Sequence, residues 1–214
     1  MLFRSHEGIF LVDSDFRQFS LDFKDKWPVA KNMNAHIIFK NRDLIADIND
    51  GMLDQLPLTD IKAQIPALGL GTETLKIEGH LKADASHARH FILNSPIEEK
   101  LSSFNNLLLS GPGIFDVDIQ IPLYAKNNIN LVNGKVMFLD NTLTLEKWWN
   151  TNIQHFKGNL SYNQNGVISS QLDGKFFNYP LHLTMKSVVK PTSATVVDIN
   201  AQLGIDELRQ MFPI

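Results

Sequence analysis

The chain has 214 residues, of which 43% are hydrophobic and 20% are charged. These values are typical of a folded protein with a sizeable core. The net charge of −3 is spread along the chain, so the sequence offers no basic surface for nucleic acid. The absence of cysteine excludes disulfide bonds and thiol catalysis.

The N-terminal segment MLFRSHEGIFLVD places Arg4, His6 and Glu7 among its apolar residues. It therefore lacks the continuous apolar core of a signal peptide, and no stretch of the sequence approaches the ~20 apolar residues of a membrane span. The chain begins in strand-like sequence and ends in DELRQMF, which is typical of an opening helix. We expect an internal fragment of a longer protein.

Most of the chain alternates apolar and polar residues with a period of two. The clearest alternating segments are residues 33–40, 44–49, 75–82, 115–121, 132–138, 142–145, 156–162, 181–186 and 197–203. Strands of this kind are covered on one face and hydrated on the other, which predicts an antiparallel sheet. The segments KNRD and NQNG predict turns between strands.

A helix is predicted at residues 95–111, SPIEEKLSSFNNLLLSG. Ser95 is a suitable N-cap, the proline after it suits the first helical position, and Glu98 completes a capping box. Apolar residues then repeat every three or four positions until Gly111, a natural C-terminal stop. A weaker helix is predicted at residues 85–93.

The segment DGMLDQLPL at residues 50–58 and the segment DGKFFNYPL at 173–181 share Asp-Gly and Pro-Leu at the same spacing. Asp-Gly predicts a hairpin turn, and Pro-Leu predicts the start of a strand. The same offset of 123 places Met33 on Phe156 and superposes the polarity pattern over about thirty residues, and the flanks match at an offset of 122.

We therefore predict two copies of a strand-rich unit, since repeats of this size stack to extend one sheet. The first copy spans residues 1–94, is truncated at its start and ends in a short helix. The second copy spans residues 95–214 and begins with a helix. The two copies are expected to form one continuous elongated domain.

The segments SPIEEKLSSFNNLLLSGPGIFDVDIQIPL, VNGKVMFLDNTLTL, FKGNLSYNQNGV and GKFFNYPLHLTMK, in this order, resemble the repeating segments of the YhdP branch of the AsmA-like proteins. These are very large, bridge-like lipid-transfer proteins of the Gram-negative envelope. The resemblance is good over residues 95–212 and looser over 16–94. It implies a mostly β fold: an elongated, curved antiparallel sheet, the β-taco, with one or two short helices.

The resemblance also implies what the chain does. The concave apolar groove of such a sheet conducts phospholipids across the periplasm, between the inner and outer membranes. Members of the family are tethered to the inner membrane by an N-terminal anchor, which we expect to lie outside this fragment.

The residues that could take part in catalysis, metal binding or phosphate binding do not form a convincing site. His87 and His90 would share one face of a helix, as a metal pair requires, but no further ligand falls at a clear spacing, which favours solvent-exposed histidines. Asp116 and Asp118 alternate on one strand face, which places both on its hydrated side. Gly111 ends a helix and belongs to no phosphate-binding loop. The sequence predicts no enzyme, no metal and no cofactor.

Tryptophan recurs at the same place in the two copies, as Trp27 and as the pair Trp148 and Trp149. Two interpretations stay open. These rings either pack in the core at a strand junction or form an aromatic rim that contacts lipid or a partner.

The apolar strand faces carry the functional prediction. One helix of about four turns, roughly 24 Å long, cannot cover about a dozen strands. The sheet must therefore close on itself or leave an apolar groove open along one side, and the resemblance favours the open groove. The predicted lipid-binding residues are Ala35, Ile37, Phe39, Val117, Ile119, Ile121, Val136, Phe138, Leu143, Leu145, Leu160, Tyr162, Leu181, Leu183, Met185, Val197 and Ile199.

The predicted partners are phospholipid acyl chains, neighbouring repeats of the same protein and, through segments outside this chain, a membrane. The alternative is a structural module with a closed core, whose edge strands pair with other chains.

Overall fold

The computed structural model describes residues 8–22, 25–96, 98, 108–124, 131–145, 151–188 and 194–211. Its elements in chain order are β1 (Leu11–Leu21), β2 (Ala30–Lys40), β3 (Asp43–Leu53), β4 (Leu56–Pro57), β5 (Ile61–Ile65), β6 (Thr74–Asp84), α1 (Ala85–Leu93), β7 (Leu108–Ser110), β8 (Pro112–Pro122), β9 (Leu131–Leu145), β10 (Thr151–Asn163), β11 (Gly166–Phe176), β12 (Tyr179–Val188), β13 (Ala194–Ala201) and α2 (Ile205–Met211).

Within these residues the strands form one 13-stranded sheet, in the order β1-β2-β3-β5-β6-β8-β9-β10-β11-β12-β13, with β4 beside β3 and β7 beside β9. All of these pairings are antiparallel. In the described part of the chain, strands β1 and β13 are the two edges of the sheet and do not pair with each other, so the sheet is open. The prediction of a mostly β chain with one curved antiparallel sheet and one or two short helices is confirmed, with two helices among the described residues.

The period-two pattern places apolar residues on the inner, concave face of the sheet. In β8, Val117, Ile119 and Ile121 point inward, whereas Asp116 and Asp118 point outward. Inward residues meet inward residues across the strands: Ile119 lies opposite Ile77 of β6 and Val132 of β9. Such cross-strand apolar pairs are the unit of sheet stabilisation.

Strands β2 and β10 bend at matching points. Asn32 and His155 have φ values of 52° and 50°, and the pairing register of each strand with its neighbour shifts there. An extra residue of this kind bends the strand and increases its twist, which curves the sheet. The two residues are 123 positions apart, as the repeated pattern requires. The division into units 1–94 and 95–214 stays a prediction.

The predicted Asp-Gly turns are wrong. Gly51 lies inside β3 and Gly174 lies inside β11, and the chain turns three residues later, where Asp54 and the pair Phe177 and Asn178 adopt positive φ. The glycines instead permit close approach of the neighbouring strand: a Cβ on Gly174 would lie 2.7 Å from a methyl group of Ile153. The turns predicted at KNRD and NQNG are confirmed.

The predicted helix at residues 95–111 is wrong at its C-terminal end. Leu108–Ser110 forms β7, which pairs with Thr142–Thr144 of β9. The hydroxyl of Ser95 donates to the carbonyl of Ile92 at the end of α1. Residues 97 and 99–107, the centre of the predicted helix, lie outside the described residues.

The weaker helix prediction is confirmed by α1, which spans Ala85–Leu93. Its N-cap is Asp84, whose carboxylate accepts hydrogen bonds from the backbone N–H of Ser86 at 2.8 Å and of Gly111 at 2.9 Å. Burial opposes ionisation of Asp84, but a hydrogen bond from the hydroxyl of Ser86, together with these two backbone bonds, outweighs it and holds the pKa of the carboxyl below its ordinary value. One side chain thus caps the helix and joins it to the start of β8.

Candidate functional site: an apolar cavity on the concave face

An apolar cavity of about 170 Å³ lies on the concave face of the sheet. Strands β1 to β6 and β8 to β10 contribute to its wall, and helix α1 closes one side. Its wall residues are apolar except for the hydroxyl of one tyrosine and the indole N–H of one tryptophan. They are Leu21, Trp27, Ala30, Met33, Ile48, Leu53, Leu56, Leu58, Ile61, Ala63, Leu75, Ile77, Leu81, Ala88, Phe91, Ile92, Phe115, Val117, Ile119, Val132 and Tyr162.

Helix α1 covers the cavity through one apolar face. Ala88, Phe91 and Ile92 follow the three-and-four spacing of that face. The buried rings of Phe91 and Trp27 pack with their centroids 6.2 Å apart. Trp27 is therefore both packed in the core and part of the cavity wall, while Trp148 and Trp149 lie outside the described residues.

Tyr162 of β10 stands where the cavity meets the rest of the concave face. It packs against the buried residues on both sides of that boundary. Gly134 of β9 lies directly opposite and leaves room for the ring, because a Cβ there would be 2.5 Å from the tyrosine oxygen. Burial raises the pKa of Tyr162 to about 12, and the charge of Asp116 adds to the rise. The phenol is thus neutral near pH 7.

Beyond Tyr162 the concave face is tightly packed. Strands β9 to β12 bring together a cluster of eleven buried side chains. Ile153 and Phe156 are each 2% exposed, Leu172 is 0% exposed and Phe176 is 5% exposed. The rings of Phe156 and Phe138 lie 5.3 Å apart. Among the described residues, the first half of the concave face therefore lines a cavity, and the second half forms a dense cluster of buried side chains.

The predicted lipid-binding residues fall in different parts of this surface. The cavity wall contains Val117, Ile119 and Tyr162. The packed cluster contains Val136, Phe138, Leu143, Leu160, Leu181 and Leu183, with Met185 and Val197 packed against it.

The remaining predicted residues lie elsewhere on the sheet. Ile121 is buried beside the cavity, and Ala35 is buried with Ile37 against it on β2. Phe39 packs edge to face with Phe10. Ile199, on the edge strand β13, is exposed. The backbone of Leu145 pairs with Thr151, but its side chain lies outside the described set. A role in lipid binding stays a prediction for all of these residues.

The predicted residues omit most of the cavity wall. Leu75, Ile77 and Leu81 lie on an alternating segment, so the pattern that predicts the sheet also identifies them. Ala88 and Phe91 follow helical spacing instead. Their place in the wall depends on how α1 docks, which no local pattern reveals.

Among the described residues, five histidines each contact an aspartate from another segment of the chain, at distances of 2.5–3.0 Å. Four of these contacts are cross-strand pairs on the outer face, whereas His90 of helix α1 contacts Asp54 in the turn between β3 and β4. The pairs are His36–Asp15, His80–Asp116, His90–Asp54, His155–Asp140 and His182–Asp173.

These contacts concern two interpretations from the sequence: the metal pair of His87 and His90, and the carboxylate pair of Asp116 and Asp118. His90 contacts Asp54, and Asp116 contacts His80. No group of three or more His, Asp or Glu side chains is placed to hold a metal ion in the part of the chain that the structure describes. These side chains join neighbouring elements across the surface.

His36 gives the outer face a testable pH dependence. Its Nδ1 lies 3.0 Å from Asp15 and its Nε2 lies 3.4 Å from Asp13. The hydrogen bond to Asp15 raises the pKa of His36 above 6.5; slight burial opposes the rise, and the charge of Asp13 adds to it. The folded-state pKa thus exceeds the unfolded one, so the pair stabilises the β1–β2 contact below about pH 6.5. That contribution is lost as the pH rises through the raised pKa.

We expect Asp15→Asn to lower the pKa of His36 more than Asp13→Asn does, because Asp15 supplies the hydrogen bond and Asp13 mainly charge. A titration of the His36 ring protons by NMR measures both shifts. Equal shifts in the two variants would contradict this assignment.

Comparison with known families gives one result. The model of the YhdP protein family matches residues 1–214, which is the whole chain. Comparison with curated proteins and with solved structures gives no match. Among the described residues, no helix has both the length and the apolar character needed to cross a bilayer.

Proposed function

The chain belongs to the YhdP family, and on that premise we propose that it forms part of a groove that conducts phospholipids between the inner and outer membranes. It does so without making or breaking covalent bonds. The ligand is the acyl part of the phospholipid, which lies along the concave face of the sheet.

One observation carries this proposal: an open antiparallel sheet has an apolar cavity on its concave face, with a single hydroxyl in its wall. A conduit for acyl chains needs such a surface, because apolar contacts are not directional and let a chain slide. Each buried methylene contributes about 0.8 kcal/mol. A catalytic site would need several convergent polar groups, and the wall of this cavity offers only the hydroxyl of Tyr162 and the indole N–H of Trp27.

The size of the cavity suits part of one acyl chain. An apolar cavity of about 150 Å³ holds a molecule of the size of benzene, so a cavity of about 170 Å³ holds roughly six carbons. The gross gain is then about 5 kcal/mol. The rest of the phospholipid lies outside the cavity, where its headgroup stays hydrated.

Neighbouring repeats extend the groove at both edges of the sheet. In the repeated pattern β1 corresponds to β9, which pairs with β8 as well as β10. At the other edge β13 corresponds to β6, which also pairs with β8. Each free edge is therefore complementary to a strand of the β8 type from an adjoining repeat. The assembled protein acts in the periplasm, tethered to the inner membrane by segments outside this chain.

The packed half of the concave face favours a second candidate, a structural module with a closed core. Phe156 and Leu172 are buried as deeply as core residues of any globular domain. In that case the cavity is a packing defect and binds no lipid.

Filling the cavity separates the two candidates. Ala63 and Gln64 are neighbours on β5; the first lines the cavity and the second faces outward. We expect wild type to bind a phospholipid with a fluorescent acyl chain, and Ala63→Phe to bind it at least about tenfold more weakly, a loss of about 1.4 kcal/mol. Gln64→Phe, which adds the same side chain to the outer face, should bind as wild type does.

Circular dichroism and thermal melting verify that both variants fold. If wild type binds no phospholipid, or if Ala63→Phe binds it as tightly as wild type, the groove proposal is wrong and the structural module is favoured.

A further inference from the structure

Equivalent strands build the two halves of the concave face. Strand β2 bends at Asn32 and β10 bends at His155, 123 positions later, with nearly the same φ. In the same register, Ala30 lies opposite Leu53 in the first half, and Ile153 lies opposite Phe176 in the second. The backbones of the halves therefore present equivalent positions to the concave face.

Three of these equivalent positions carry side chains of different size. The first half has Ala30, Met33 and Leu53, and all three line the cavity. The second half has Ile153, Phe156 and Phe176, and all three lie in the packed cluster. At each position the smaller or more flexible side chain borders the cavity.

We propose that these three pairs of residues determine the width of the groove, and therefore where it accepts an apolar ligand. Ala30, Met33 and Leu53 leave space that an acyl chain can enter, while Ile153, Phe156 and Phe176 fill the equivalent space and form a constriction. Tyr162 marks the boundary between the two. That the ligand is an acyl chain rests on the proposed function, whereas the assignment of width rests on packing alone.

The physical basis is the close packing of protein interiors. Side chains fill a core to nearly crystalline density, so added methylene groups or an added ring remove empty volume directly. Exchanging the three pairs of residues between the halves should exchange the cavity.

Two sets of substitutions test the proposal. The narrowing variant carries Ala30→Ile, Met33→Phe and Leu53→Phe, and the widening variant carries the three reverse changes at Ile153, Phe156 and Phe176. Xenon enters dry apolar cavities, so methyl chemical shifts under xenon pressure report the cavity without any lipid. Binding of the fluorescent phospholipid is measured in parallel.

We expect xenon to shift the methyl groups of Ile48 and Ile77 in wild type. The narrowing variant should lose these shifts and at least tenfold in phospholipid affinity. The widening variant should gain xenon shifts at Leu160 and Leu172. If it fails to fold, Ile153→Ala alone, which removes three carbons at one of the three positions, carries the test with the same expected xenon shifts.

Three results would overturn the assignment of width: equal xenon shifts in both halves of wild type, unchanged shifts in the narrowing variant, or no new shifts in a folded widening variant. A different result separates the two proposals. If the xenon shifts change as expected while the narrowing variant keeps wild-type phospholipid affinity, the three pairs set the width of the cavity, but phospholipid does not bind there.

Discussion

Gly158→Ala should destabilise the protein by about 2–5 kcal/mol and lower its melting temperature by roughly 4–20 °C. Gly158 has a φ of +126°, and a Cβ at this position would collide with the backbone carbonyl oxygen of Gln171 on the neighbouring strand. The conformational strain costs about 1–2 kcal/mol. The collision adds about 1–3 kcal/mol, because the obstacle is backbone and cannot turn aside.

Gly71→Ala is the matched control for this effect. Gly71 also has positive φ, +76°, but nothing lies within 4 Å of the position its Cβ would occupy. We therefore expect only the conformational cost, about 1 kcal/mol. Chemical denaturation of both variants measures the difference. Equal losses would mean that β11 yields to the new methyl group and that the close approach is unimportant.

Leu183→Ala should cost about 2–5 kcal/mol of stability, because it removes a large side chain from a packed core. Leu183 is 4% exposed and lies between Leu172 and Ile199 on the neighbouring strands. Its neighbours hold the surrounding cluster in place, so the space left behind cannot collapse fully. Phospholipid affinity should stay within about twofold of wild type, since Leu183 lies outside the cavity wall.

Ile199→Ala provides the comparison on the same face. Ile199 lies directly opposite Leu183 but is 52% exposed on the edge strand β13. Its truncation should cost no more than about 0.5 kcal/mol. Urea denaturation of the two variants tests the contrast. A large loss of stability for Ile199→Ala would show that the edge is covered in solution, for example by a second copy of the chain.

The contrast between Leu183 and Ile199 concerns residues that occupy the same kind of position in the sequence pattern. Leu183, Ile199 and Val117 all occupy apolar positions of alternating strands, and all belong to the predicted lipid-binding set. In the structure the first is core, the second is exposed at an edge and the third lines a cavity. Alternation fixes the face on which a side chain lies, but it does not reveal what lies across from that face.

Local signals succeed where the physical cause is local. Turns at KNRD and NQNG, the face of each strand and the helix at Ala85–Leu93 follow from side-chain period, turn residues and capping. Local signals predict the wrong element where a strand distant in sequence offers a competing backbone partner. Leu108–Ser110 continues a helical pattern, yet it forms a strand because β9 offers it a backbone partner. Gly51 follows an aspartate as a turn glycine does, yet it lies inside β3, where the lack of a Cβ lets Met33 approach closely.

The sequence by itself determined a mostly antiparallel β chain with one apolar face, a polarity pattern that recurs at an offset of 123 residues, and membership of the YhdP family. Only the tertiary structure decided which part of that face is open. The reason is that a cavity depends on the summed volumes of side chains from strands far apart in sequence. It depends equally on where helix α1 docks over them.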